Sequence, residues 1–305
     1  MTPQFPDFKR LEVDDREVVE AHTRRYDPYS DFNFTSLWTW DTSGSRMISE
    51  LNGNLIVRFT DYSTDEPFLS FLGTNECQGT ALTLLNYSKQ NNLPAILKLI
   101  PEVSISKLDD AALRVEEDRH NYDYICSAPR LAALAGGDFK RSRNFVNTFK
   151  REYPSALFEV VDLADAGVQR DILEILDVWE RNKVERQRSY EIKHEKDAIR
   201  RLFSTTGKHT LIVMAVFVNG IMCAFSIDEL LPAEHGIIHF QKADIAYKGI
   251  YDFLIQEKAK HFEALGIVSI NFEQDLGIEG LRLSKVAYRP THFLKKYRVT
   301  ARAAS

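Results

Sequence analysis

Between Asn271 and Pro290 the sequence concentrates ionisable side chains at a spacing that could do chemistry. Asn271, Glu273 and Asp275 follow the apolar run Ile267–Ile270, whose length predicts a strand. Gly277 and Gly280 mark a bend, and a helix-like segment then carries Arg282, Lys285, Tyr288 and Arg289. Carboxylates at a strand end can take a proton from a nucleophile. Arg282, Lys285 and Arg289 fall at i, i+3 and i+7, so one helix face offers three cations to a carboxylate or phosphate. The same residues would also make a salt-bridged strand–helix corner, and spacing alone does not separate the two readings.

The elements that must position these residues occur twice. Asn52-Gly53 lies between the apolar runs Ile48–Leu51 and Leu55–Phe59, and Asn219-Gly220 lies between Leu211–Val218 and Ile221–Ile227. Asn-Gly between apolar runs predicts a hairpin, because both turn residues must take positive φ. After the first hairpin comes a strand, Phe68–Leu72, then Gly79 and a helical pattern through Leu82 and Leu85. A second strand, Ala95–Ile100, and Ala112-Leu113-Arg114 follow. After the second hairpin come Gly236–Phe240, then Gly249 and a helical pattern through Leu254, Lys258 and Phe262. Ile267–Ile270 and Gly280-Leu281-Arg282 complete it. Gly53 and Gly220 are 167 positions apart, and Leu113 and Leu281 are 168 apart. A constant offset with one element order predicts two copies of one α/β unit, residues 1–154 and 155–305. Between them, Leu131–Ala135, Gly136-Gly137 and Phe139–Phe149 predict a helix, a break and a second helix, ended by Pro154. Val168, Ile172, Ile175, Leu176 and Trp179 predict an amphipathic helix, and the charged stretch Glu180–Lys196 reads as a solvated helix or loop.

No run of about 18 apolar residues occurs, so no transmembrane segment is expected. The polar start, Met1–Arg10, has no signal core, and the expected location is the cytoplasm. Cys77, Cys126 and Cys223 are odd in number and widely spaced, which predicts reduced, buried thiols. The net charge of −5 gives no global pull toward nucleic acid. Locally, Lys140, Arg141, Arg143, Lys150 and Arg151 form one basic cluster. A second runs from Arg282 through Lys295, Lys296, Arg298 and Arg302, with no acid after Glu279. Each reads either as a solvated face or as a surface for phosphate, anionic lipid headgroups or RNA. His235 and His239 share a strand without a third ligand, so no metal is expected. No nucleophile-elbow motif and no electropositive cysteine supports covalent catalysis.

Taken together, the element order resembles tandem-GNAT acyltransferases. More specifically, it resembles the soluble C-terminal domain of bacterial phosphatidylglycerol lysyltransferases (aminoacyl-phosphatidylglycerol synthases) and their stand-alone relatives. The segments Tyr29–Trp38, Phe71–Glu76, Arg141–Phe149, Asn271–Pro290 and Lys295-Lys-Tyr297 carry the resemblance. It implies an α/β (α+β) fold of two GNAT-like units, each a mixed, mainly antiparallel sheet flanked by helices. It also implies a donor, either acyl-coenzyme A or aminoacyl-tRNA, whose phosphates lie at the turn Asp244–Tyr251. Tyr247, Lys248, Gly249, Ile250 and Tyr251, with Asn271 at the strand end, would contact that donor. The acyl carbon would lie beside Glu273 and Asp275, either of which would serve as base, while Tyr288 would protonate the leaving group. Arg282, Lys285 and Arg289 would bind substrate. The acceptor would be an amine or hydroxyl on a small molecule or a lipid headgroup. The first copy, which lacks the acidic cluster, would be structural or shape the acceptor site. The rival expectation is a non-catalytic GNAT-like module that binds coenzyme A or another phosphorylated ligand.

Overall fold

The computed structural model describes residues 2–61, 64, 66–106, 108, 109, 111–184 and 192–302. It opens with β1 (Lys9–Arg10), α1 (Arg16–Thr23) and α2 (Phe34–Thr39). A hairpin of β2 (Met47–Leu51) and β3 (Asn54–Thr60) leads to β4 (Pro67–Leu72), α3 (Cys77–Gln90) and β5 (Leu97–Pro101). Next come α4 (Glu102–Ile105), β6 (Leu113–Glu117) and β7 (Asp123–Ser127). Two helices, α5 (Ala128–Ala133) and α6 (Lys140–Glu152), precede β8 (Leu157–Val161), α7 (Ala166–Val184) and α8 (Ile192–Phe203). The order then recurs as β9 (Leu211–Val218), β10 (Ile221–Leu231), β11 (His235–Ala243), α9 (Ile250–Ala264) and β12 (Ser269–Asn271). It finishes with α10 (Glu279–Ala287), β13 (His292–Leu294) and β14 (Lys296–Ala301). Of the charged stretch Glu180–Lys196, residues 185–191 lie outside the described residues, and helix flanks them on both sides.

Both Asn-Gly pairs make the expected turns: Asn52 and Gly53 have φ of 55° and 75°, and Asn219 and Gly220 have 53° and 79°. The first sheet has the order β1-β2-β3-β4-β5-β14-β6, and the second β13-β7-β12-β11-β10-β9-β8. Seven strands recur in the same spatial order, with one exchange: the strand beside β5 is β14 and the strand beside β12 is β7. Each sheet contains a parallel pair, β4 with β5 in the first and β11 with β12 in the second. The pairing of Ala112-Leu113-Arg114 with Gly280-Leu281-Arg282 does not survive: Leu113 opens β6, whereas Leu281 lies inside α10. A Leu-Arg pair fits either element. What places Leu113 in a strand is its wholly buried side chain followed by an exposed Arg114.

The chain forms two compact units. One comprises Met1–Asp123, Gln274–Leu281 and Phe293–Ser305, and the other Tyr124–Glu273 and Arg282–His292. The first buries Ile56, Leu69, Phe71, Leu97, Ile100 and Val299 of its sheet against Leu84 and Leu85 of α3. It also buries a charge. Lys296 is 0 % exposed and bonds Asp123 Oδ1 at 2.8 Å, Ser30 Oγ at 3.2 Å and Asp31. The basic run at the C-terminus is therefore not all solvated face. In the second unit α9 packs Leu254 and Phe262 toward the sheet, and Phe149 of α6 stacks on Phe253 at 4.6 Å. All three cysteines are buried and none is in a disulfide. Among the described residues no helix is long and apolar enough to cross a membrane.

Candidate functional site

The site starts where two parallel strands part. In the second unit β12 pairs with only the first three residues of β11: His235 with Ser269, Gly236 with Ile270, and Ile237 with Asn271. β11 runs on to Ala243, while the other chain turns away at Glu273, whose φ is 56°. A non-glycine residue in that region is strained and must be held. Asn271 holds it. Its side chain is buried, and its Oδ1 accepts a hydrogen bond from the Glu273 amide at 2.6 Å. The Glu273 carbonyl accepts a further bond from the Tyr124 amide at 3.3 Å. Asn271 therefore serves the turn through the side chain that the resemblance assigned to a donor.

Beyond the last β11–β12 pair, β11 and β10 slip out of register. Ile227 opposes Phe240 and Asp228 opposes Ile238, so His239 is the extra residue of a bulge. Its ring lies between two carboxylates. Nε2 is 3.2 Å from Glu229 Oε2, and Nδ1 is 3.7 Å from Glu273 Oε1. Burial opposes charge on this ring, but the carboxylates of Glu229 and Glu273 outweigh it and push the pKa up to about 9. In the sequence His239 reads only as a metal-ligand candidate, and Glu229 does not stand out as a site residue. A signal was present: Asp228 and Glu229 are adjacent acids inside a mostly apolar strand, where charge must be paired. Their partners are His239 for Glu229 and Lys258 for Asp228.

The other expected residues scatter. Asp275 belongs to the first unit. It is 0 % exposed, with Oδ2 3.4 Å from Arg119 and Oδ1 accepting from the Gly277 amide at 2.8 Å. That is a turn-holding carboxylate on an ion pair. Lys285 donates to the Phe272 carbonyl, one residue before Glu273. Tyr288 stacks on the Phe272 ring at 5.2 Å, and burial pushes its phenol well above the ordinary range. Arg282 is half-buried on α10. Arg289 lies past the helix end at φ 56°, with Nε and Nη2 each 3.4 Å from the Asp138 carbonyl.

Arg289 helps to line an open depression of about 560 Å³ with Lys140, Arg141, Asn144, Thr148 and Lys248. Two of these cations come from the first basic cluster, one from the turn before α9 and one from the segment after α10. The four are solvent-exposed. The depression lies beside the start of α9, and that start is covered. A Cβ on Gly249, at φ 88°, would fall 2.3 Å from the Phe145 carbonyl of α6. The close approach this glycine permits is to a helix backbone. Asp252 sits in the first turn of α9 and bonds Ser142 of α6; burial raises its pKa, with Ser142 and Arg141 opposing. Ile250 is buried. The Tyr251 hydroxyl accepts from the Ala243 amide at 3.2 Å, and burial pushes it up to about 12. The Tyr247 hydroxyl is pushed up to about 12, chiefly by its hydrogen bond with Cys223. Of the turn's side chains, Lys248 is the one that lines the depression. Among the described residues no group of three or more His, Cys, Asp or Glu side chains could hold a metal ion.

Residues 23–300 match the family described as phosphatidylglycerol lysyltransferase, C-terminal. No curated protein matches the sequence. Three solved structures are similar across nearly the whole chain. A conserved protein of unknown function from Bacteroides thetaiotaomicron VPI-5482 has 24% identity and a TM-score of 0.82, over 99% of this chain and 100% of that one. L-PGS from Bacillus licheniformis has 16% identity and a TM-score of 0.63, over 100% and 95%. A tandem GNAT protein from the clavulanic acid biosynthesis pathway has 9% identity and a TM-score of 0.50, over 98% and 99%. At these identities the likenesses establish the fold.

Proposed function

The chain belongs to the phosphatidylglycerol lysyltransferase C-terminal family, and from that premise we propose that it moves an aminoacyl group from the 3′ end of an aminoacyl-tRNA to a hydroxyl or amine acceptor. The observation that carries the reading is the cationic depression of Lys140, Arg141, Lys248 and Arg289 beside a covered helix start. The α9 start already has the Phe145 carbonyl close against Gly249 and the Asp252 carboxyl in its first turn, which argues against a coenzyme A pyrophosphate on its amides. Exposed side-chain cations suit the spaced phosphates of an RNA end. Arg289, on the depression, follows Tyr288, whose ring stacks on Phe272, the residue before Glu273.

In this reading the phosphates are held by the four cations and the aminoacyl ester reaches the gap between β11 and β12. Glu273 takes the acceptor's proton as the acceptor bonds to the acyl carbon, and returns it to the departing 3′-oxygen. Most of the rate comes from holding the two reactants together. The acceptor is proposed as a lipid headgroup or a small polar molecule. The test follows a labelled aminoacyl group on tRNA, with phosphatidylglycerol vesicles in one arm and soluble amines and hydroxyls in the other. Label should leave tRNA faster than it hydrolyses spontaneously and appear in one acceptor pool. Transfer from acyl-coenzyme A alone, or binding of either donor with no turnover, would overturn the reading.

A further inference from the structure

The second unit buries two charged networks, and one difference between them decides their roles. Lys258 meets Gln241 Oε1 at 2.7 Å, Ser226 Oγ at 2.8 Å and Asp228 Oδ1 at 3.1 Å, and Lys258, Ser226 and Asp228 are all 0 % exposed. Its three protons have three acceptors, and these three members stay dry. The second network, Glu229–His239–Glu273, has side-chain exposures of 2 %, 1 % and 18 %. It is dry at two members and opens to solvent at the third, in the gap where β11 and β12 part.

That arrangement is costly. Charged groups taken from water into a sheet interior are often outperformed by apolar side chains of the same size. A bulge at His239 and a positive φ at Glu273 bring the ring and the carboxylate together, and both disturb regular strand geometry. The Lys258 network spans the same bulge, with Ser226 and Gln241 on one side and Asp228 on the other, so what sets the His239 network apart is the positive φ and the solvent-facing carboxylate of Glu273.

We propose that His239 and Glu229 are positioning residues for Glu273, a buried clamp that fixes the orientation of its carboxylate in the strand gap. The proposal deepens the transfer reading and rests on it. The proton balance is simple. Glu273 gains the acceptor's proton as the new bond to the acyl carbon forms, and it loses that proton to the 3′-oxygen as the old ester bond breaks. His239 neither gains nor loses a proton and stays an imidazolium throughout. Among the described residues, the charged groups that act on its ring are Glu229 and Asp228 from β10 and Glu273, and Asp228 is itself paired with Lys258 of α9. The carboxylates keep the ring protonated up to about pH 9.

Nuclear magnetic resonance of the ring-labelled full chain tests the clamp without any assay of activity. The His239 signal, assigned by its loss in His239→Gln, should titrate near pH 9 and move to lower pH in Glu273→Gln and in Glu229→Gln. A midpoint unmoved in Glu273→Gln would overturn the clamp even if transfer is found, and this arm stands even if transfer is not found. In the transfer assay His239→Gln should lower kcat about 100-fold with KM within about twofold, and should lose the alkaline fall in rate that the native chain shows. Glu229→Gln should shift that fall to lower pH without abolishing it, and serves if His239→Gln does not fold. An alkaline fall that persists in His239→Gln and is unmoved in Glu229→Gln, or a loss confined to KM, would overturn the proposal.

Discussion

Two carboxylates two positions apart, Glu273 and Asp275, meet different surroundings, and their substitutions should differ in kind. Glu273→Gln should lower kcat by about 100-fold or more, because it removes the proton acceptor while keeping the shape. Asp275→Asn should leave kcat within about twofold and lower stability by about 1–3 kcal/mol, since a wholly buried ion-pair partner is lost. Denaturant melts and steady-state rates on the same two variants separate these outcomes. His239 adds a pH dependence. Its folded pKa of about 9 lies above the ordinary 6.5, so its stabilisation is complete below pH 6.5, fades as pH rises toward 9 and is gone above. Melts from pH 6 to 10 should show the native chain losing a few kcal/mol of stability that His239→Gln does not lose. Glu273 and Arg289 stand out in the sequence as ionisable groups where a strand meets a helix, whereas Lys248 is reached only through the resemblance. The Glu229–His239 pairing could not. It depends on a one-residue slip between β10 and β11, and register is set by tertiary packing that no local pattern reveals.

The helix α6 does two things that follow from how it lies on α9. Its Phe145 carbonyl presses on Gly249, so Gly249→Ala would combine a contact of 2.3 Å with a strained φ of 88°. We expect a loss of about 2–4 kcal/mol in a denaturant melt, with the fold retained. Its Lys140 and Arg141 line the cationic depression, so Arg141→Glu and Lys140→Glu should each weaken donor binding about tenfold. Each should also flatten the salt dependence by roughly one counterion. The existence of α5 and α6 was readable from Gly136-Gly137 and the apolar spacing around them. Their destination was not. Sequence suggested a glycine left open for a phosphate at α9, but the apolar face of α6, with Phe149 stacked on Phe253, claims that place first. The first copy shows the same logic in reverse. The strand end matching Asn271 leads into Glu102, whose Oε1 accepts from the Tyr297 hydroxyl at 3.1 Å.

Duplication was legible because two Asn-Gly turns at a fixed offset are local signals, and the sheets repeat strand for strand. The exchange of β7 and β14 was not, since a strand's own residues do not say which sheet it joins. That exchange accounts for Lys296. As the first residue of β14 it enters the first sheet's interior with Asp31 and Asp123, which hold its charge above the usual lysine range despite burial. Lys296→Met should cost about 3–5 kcal/mol, because it strands two buried carboxylates. The most direct measurement of donor choice is equilibrium binding of aminoacyl-tRNA and of coenzyme A to the full chain across a salt series, repeated with Lys248→Glu and Arg289→Glu. Aminoacyl-tRNA should bind with a steep salt dependence that both variants flatten, and coenzyme A should compete weakly or not at all. Tight coenzyme A binding that displaces the RNA, or RNA binding that neither variant changes, would contradict the aminoacyl-tRNA reading.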